Sequence, residues 1–125
     1  MVGVAGAHPG AAFMAVSGTS PTDVWVVGAD AGKGGSALHY DGASWTELAN
    51  PWLYDLWWVQ AFADGTTFFA GAGGTVLSYD GATLTRHDTP GIAKDTVYGL
   101  WGSAPDDVWA VGGWAGRWGF LWHYD

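Results

Sequence analysis

The chain has 125 residues, 49% of them hydrophobic and only 13% charged, which supplies a core for one domain and excludes a disordered, solvating role. Its net charge of −8, with four Lys and Arg in all, argues against a nucleic-acid backbone or an anionic membrane surface as partner. The absence of cysteine excludes disulfide stapling, thiolate catalysis and cysteine-based zinc sites.

In chain order, the start Met1-Val2-Gly3-Val4 has neither the basic nor the apolar region of a signal peptide. No apolar run reaches the roughly 18 residues of a membrane helix. The compartment stays open, with a secreted or cell-surface bacterial origin among the options. Short strands are then predicted at 13–17, 24–27, 37–40 and 44–48, punctuated by the turns Ser20-Pro21-Thr22-Asp23 and Asp41-Gly42-Ala43. The same order returns at 56–62, 67–70, 76–79 and 83–87, with Asp80-Gly81-Ala82 as its last turn. It returns again at 97–101, 108–111 and 121–124, after the turn Ala104-Pro105-Asp106-Asp107. We label the four strands of each copy A to D. The B strands are apolar on both faces, as a sheet buried between two neighbouring sheets requires.

The copies align residue by residue. Asp23-Val24-Trp25-Val26-Val27-Gly28 matches Thr66-Thr67-Phe68-Phe69-Ala70-Gly71 and Asp107-Val108-Trp109-Ala110-Val111-Gly112. Leu38-His39-Tyr40-Asp41 matches Leu77-Ser78-Tyr79-Asp80 and Trp122-His123-Tyr124-Asp125. The steps between Asp41, Asp80 and Asp125 are 39 and 45 residues, the period of one propeller blade. The expected fold is therefore all-β: a β-propeller segment spanning 1–125, with blades at 13–48, 56–87 and 97–125 and a strand D remnant at 1–6. Trp25, Phe68 and Trp109 share one repeat position and are expected to fill the gaps between blades.

The pattern S-x-x-x-P-x-D-V-W-x-V-G, L-H-Y-D-G and W, carried here by Ser17 to Gly28, Leu38 to Gly42 and Trp45, resembles the repeat of bacterial WD40/BNR-like β-propeller proteins. Asp-box sialidases would bring an arginine cluster, whereas this chain has only Arg86 and Arg117. A second likeness, to seven-bladed bacterial propeller lectins, implies a glycan-binding role without assigning sugar-contacting residues.

Three blades are too few for a closed ring, which needs about four. The chain reads D-A-B-C three times, with its first D truncated, so the expected solution is a homo-oligomer that exchanges strands at the termini. Val2 and Val4 of one chain would pair with Leu121, Trp122, His123 and Tyr124 of another. A homodimer of six blades is favoured over a nine-bladed trimer or a monomeric arc.

No catalytic constellation is recognisable, and the chain is expected not to be an enzyme. Asp41, Asp80 and Asp125 read as turn formers, Asp23, Asp106 and Asp107 as strand starts, and His39 and His123 as tolerated strand positions that Ser78 replaces. No cofactor or metal site is expected. The B–C connections of copies one and three are four residues longer than that of copy two, which gives Lys33, Arg117, Trp114 and Trp118 as candidate ligand contacts on a rim shared with Trp52 and Tyr54. Such a rim suits a glycan or a peptide. The expected function is a non-enzymatic binding and assembly scaffold, and the alternative is a lectin-like carbohydrate-binding module.

Overall fold

The computed structural model describes residues 11–30, 34–52, 54–92 and 94–125. It is all-β, with no helix among those residues. Three antiparallel sheets follow one another along the chain, each a meander whose consecutive strands are hydrogen-bonded neighbours. The first holds β1 (Ala11–Ser20), β2 (Asp23–Asp30), β3 (Gly34–Tyr40) and β4 (Trp45–Glu47). The second holds β5 (Leu56–Ala61), β6 (Thr67–Gly71), β7 (Thr75–Tyr79) and β8 (Leu84–Arg86). The third holds β9 (Thr96–Ala104), β10 (Asp107–Trp114) and β11 (Trp118–Tyr124), without a fourth strand beside β11 among the described residues.

Hairpin chemistry explains the order. Asp41 Oδ1 accepts from the backbone N–H groups of Ala43 and Ser44, and Gly42 takes φ +97°. Asp80 repeats this with Ala82 and Thr83, and Gly81 takes φ +96°. In each case the tyrosine ending strand C, Tyr40 or Tyr79, donates its hydroxyl to the turn glycine carbonyl at 2.9 Å. The turn is thus fixed from both sides.

The glycine that closes the matched strand B segment in each copy has a structural cause. Opposite it, strand A carries a β-bulge: Met14, Trp57 and Tyr98 are the extra residues between Phe13/Ala15, Leu56/Trp58 and Val97/Gly99. The bulge pushes a strand A carbonyl onto strand B. A Cβ at Gly28, Gly71 or Gly112 would lie 2.3, 1.8 or 2.0 Å from the carbonyl oxygen of Ala12, Asp55 or Thr96. No side chain fits at that position in any copy.

The sheets stack face to face. Trp25, Val27 and Ala37 of the first sheet pack on Leu56, Val59, Phe69 and Leu77 of the second. The opposite face of the second sheet, Phe68, Ala70 and Val76, packs on Val97, Leu100, Val108 and Ala110 of the third. Strand β6 is accordingly buried along its whole length. The outer sheets each have one face on which no other described sheet packs, so the expectation for the shared aromatic position holds twice and changes once. Trp25 and Phe68 are 5% and 2% exposed between sheets, whereas Trp109 is 37% exposed, because no described sheet packs on its face.

Candidate functional site

The first candidate is the pair of end faces. On the third sheet, Trp101, Trp109, Val111 and Leu121 are all exposed, and Leu121 reaches 66%. The residues at the same repeat position in the first two sheets, Ala37 and Val76, are 1% and 0% exposed. On the first sheet, Val16 is 68% exposed, while Val59 and Leu100 at its repeat position are buried. The third sheet therefore presents the surface that the internal interfaces bury, and on the first sheet Val16 does the same beside Leu38, which is only 6% exposed.

Strand β11 contributes in two directions. Leu121 and His123 lie on the open face, and Trp122 and Tyr124 turn inward against the second sheet. The expected partners of this strand, Val2 and Val4, lie outside the described residues, as does Lys33.

Histidine has a clearer role than a tolerated strand position. His39 Nε2 bonds Asp23 Oδ1 at 2.6 Å and its ring stacks on Trp25 at 4.4 Å. His123 Nε2 bonds Asp107 Oδ1 at 2.8 Å and stacks on Trp109 at 4.0 Å. A carboxylate only accepts, so Nε2 is the donor in both pairs. The second oxygen of each aspartate accepts from a hydroxyl on a bulged residue, Thr19 or Ser103. These hydrogen bonds, the hydroxyl first and the histidine second, hold Asp23 and Asp107 below the usual carboxylate range. The hydroxyl and the imidazole both meet the carboxylate and not each other, so the geometry is a brace for strands A, B and C rather than a nucleophile–base pair.

In the second sheet Ser78 replaces the histidine, and the ring comes from elsewhere. His87, beyond β8, bonds Ser78 at 2.8 Å and stacks on Phe68 at 5.4 Å. Every copy thus places an imidazole on its central aromatic ring, from strand C twice and from beyond strand D once.

The second candidate is the tip of the β10–β11 hairpin. The four extra residues do not form a larger loop: they extend the ladder to Trp114↔Trp118, leaving a three-residue turn at Ala115, Gly116 and Arg117. Gly116 takes φ +81°, and Arg117 lays its guanidinium over the Trp114 ring at 4.9 Å. Trp118 donates its indole N–H to Asp95 Oδ2 at 3.1 Å. Asp95 is held by its own backbone, which donates to Ile92 O and accepts from Gly74 N. Lys94, Asp95, Thr96, Tyr98, Gly113, Trp114 and Ala115 line an open cleft of about 350 Å³.

Trp114, Arg117 and Trp118 therefore share one hairpin tip. The other two expected contacts sit one sheet away. Trp52 packs partly buried against the core between the first and second sheets. Tyr54 lies against Gly73, with the Arg86 guanidinium 5.3 Å from its ring centre. Sequence reasoning missed Asp95, Lys94 and Tyr98. The available signal was a lone carboxylate at Asp95, where the preceding copy has Tyr54.

No cluster of His, Asp and Glu among the described residues could hold a metal ion. No known protein family, curated protein or solved structure matches the chain.

Proposed function

We propose that the chain is a β-propeller assembly module whose three blades associate head to tail with further copies of itself to close a ring. One observation carries this reading: Val16 at one end and Trp109, Val111 and Leu121 at the other occupy the repeat positions that both internal interfaces bury. A surface already complementary to its neighbour in the repeat is complementary to the same neighbour on another copy. Contiguous apolar faces of this kind mark association surfaces. A head-to-tail contact that closes after a whole number of chains gives a finite ring, and two chains give six blades.

The unpaired outer edge of β11 supports the same partner. Strands β3 and β7 each have a fourth strand on that side, and β11 has none among the described residues. A strand supplied by the next copy would complete the third sheet and cap its free backbone groups.

Sedimentation velocity at micromolar concentration tests the proposal. A ring predicts a species at twice the 13.1 kDa chain mass, or at another whole multiple, with no continuous ladder of sizes. Leu121→Asp, a charge at the centre of the open face, is expected to return the chain to 13.1 kDa without unfolding it. A wild-type chain that stays at the single-chain mass across the micromolar range overturns the reading.

A further inference from the structure

We infer that the cleft under the β10–β11 hairpin is a binding site for a neutral, polyhydroxylated ligand of monosaccharide size, with Asp95 as the hydrogen-bond acceptor at its base and Trp114 as an apolar platform at its rim. The argument starts from unmet hydrogen bonds. Among the described residues, two buried side-chain polar atoms have no partner: Asp95 Oδ1 and Trp57 Nε1. Of the two, only Asp95 lines the cleft. Tyr98 lines the cleft beside Asp95, and the Trp57 ring meets the Tyr98 ring edge-on at 5.9 Å. Buried polar groups in a folded chain are nearly always satisfied, so the Asp95 oxygen left over at the base of this cleft calls for an occupant.

The chemistry of the lining narrows that occupant. An unmet carboxylate oxygen on Asp95 and the Lys94 ammonium in the same lining are what hydroxyl groups answer, since each hydroxyl both donates and accepts. A simple anion would face the Asp95 carboxyl, and a simple cation would face Lys94 and Arg117. A neutral ligand meets neither conflict, and its hydroxyls can accept from Lys94 while donating to Asp95. The exposed face of Trp114 and the exposed Tyr98 suit the C–H face of a pyranose ring. A volume near 350 Å³ sits at the small end of ligand clefts.

The site also departs from the repeat in a way that assembly does not explain. Asp95 corresponds to Tyr54 in the second copy, where an aromatic ring and Arg86 fill the place of the carboxyl. The second hairpin is too short to present an indole there, because β6 and β7 pair only as far as Gly71↔Thr75. Trp118 reaches Asp95 only because the third hairpin is two residues longer on each strand. Carboxyl and extended hairpin occur together in this copy and orient each other.

The test is a ligand-observed NMR titration of the full chain with methyl glycosides of glucose, galactose, mannose, fucose and N-acetylglucosamine. At least one is expected to bind saturably, with a dissociation constant tighter than about 10 mM. Trp114→Ala removes an exposed ring, so the fold is retained, and it is expected to abolish that binding. Asp95→Asn keeps the bond from Trp118 and is expected to weaken binding about tenfold. Because the cleft lies within one chain, the Leu121→Asp variant is expected to bind as the wild type does, so this inference and the assembly reading fail separately. No saturable binding from any of the five glycosides overturns the proposal, and so does unchanged affinity in Trp114→Ala.

Discussion

The second and third sheets are built from the same repeat and stand in opposite surroundings. Phe68, Ala70 and Val76 are sealed between two neighbours, while Trp109, Val111 and Leu121, their counterparts, face outward. The third sheet keeps apolar side chains at positions where no other described sheet covers them. Burial here is a property of having a neighbour, not of the residue type. A repeat protein therefore exposes at its ends the surfaces that hold its middle together.

The sharpest way to break that comparison is to cut the same position twice. Trp25→Ala removes a ring that stacks on His39 and meets Phe69 and Tyr79 edge-on, and should cost about 3–5 kcal/mol in urea unfolding. Trp109→Ala at high dilution should cost about half as much or less, because its ring stands between no two sheets and loses the stack on His123 and a hydrogen bond to Asp107. At micromolar concentration the same variant should lose mass in sedimentation. Equal unfolding costs for the two would mean that the end face is not open.

Next in size is a backbone test within the buried sheet. Gly71→Ala places a methyl group 1.8 Å from the Asp55 carbonyl, which forces the bulge at Trp57 to shift. A loss of about 2 kcal/mol is expected in the same unfolding assay. Gly65→Ala is the control: nothing lies within 4 Å of its Cβ position, so its cost should be limited to the strain of φ +94°. A neutral Gly71→Ala would remove the bulge as the reason for the repeated glycine.

These contrasts also mark what the sequence could convey. Strand order and turns were legible because Asp41-Gly42 and Asp80-Gly81 are local chemistry, read without knowing the fold. The stacking of β6 between two sheets was legible because both its faces are apolar. The bulges were not, since a two-residue alternation carries no sign of one extra residue until the partner strand is in place. The added hairpin residues looked like loop for a related reason. Four inserted residues add two to each strand, which preserves the facing of every side chain and leaves no break in the pattern. His87 was illegible as the replacement for a strand C histidine, because it reaches Phe68 from beyond a different strand. Asp95 needed the long hairpin to fold back over it before its partner Trp118 became visible.

The smallest expected effect separates the sheets by acidity. His87 is half-buried against Phe68 and Tyr124, and that burial pushes its pKa below the ordinary value of 6.5. As pH falls through 6.5 the unfolded chain takes up a proton that the folded chain resists, so stability is full above that value and declines below it. Asp23, Asp41, Asp80 and Asp107 are all held below 3.8 by hydrogen bonds, so their contribution is full above 3.8 and disappears only as pH falls through their lower folded values. Unfolding midpoints measured from pH 7 to pH 3 should therefore fall in two stages. The shallow first stage belongs to the second sheet and should flatten in His87→Gln, whose amide still reaches Ser78 without titrating. The acid stage should survive that substitution unchanged. If His87→Gln leaves the first stage in place, the proton uptake belongs to another group, and the imidazole on Phe68 is not the buried base that its packing makes it.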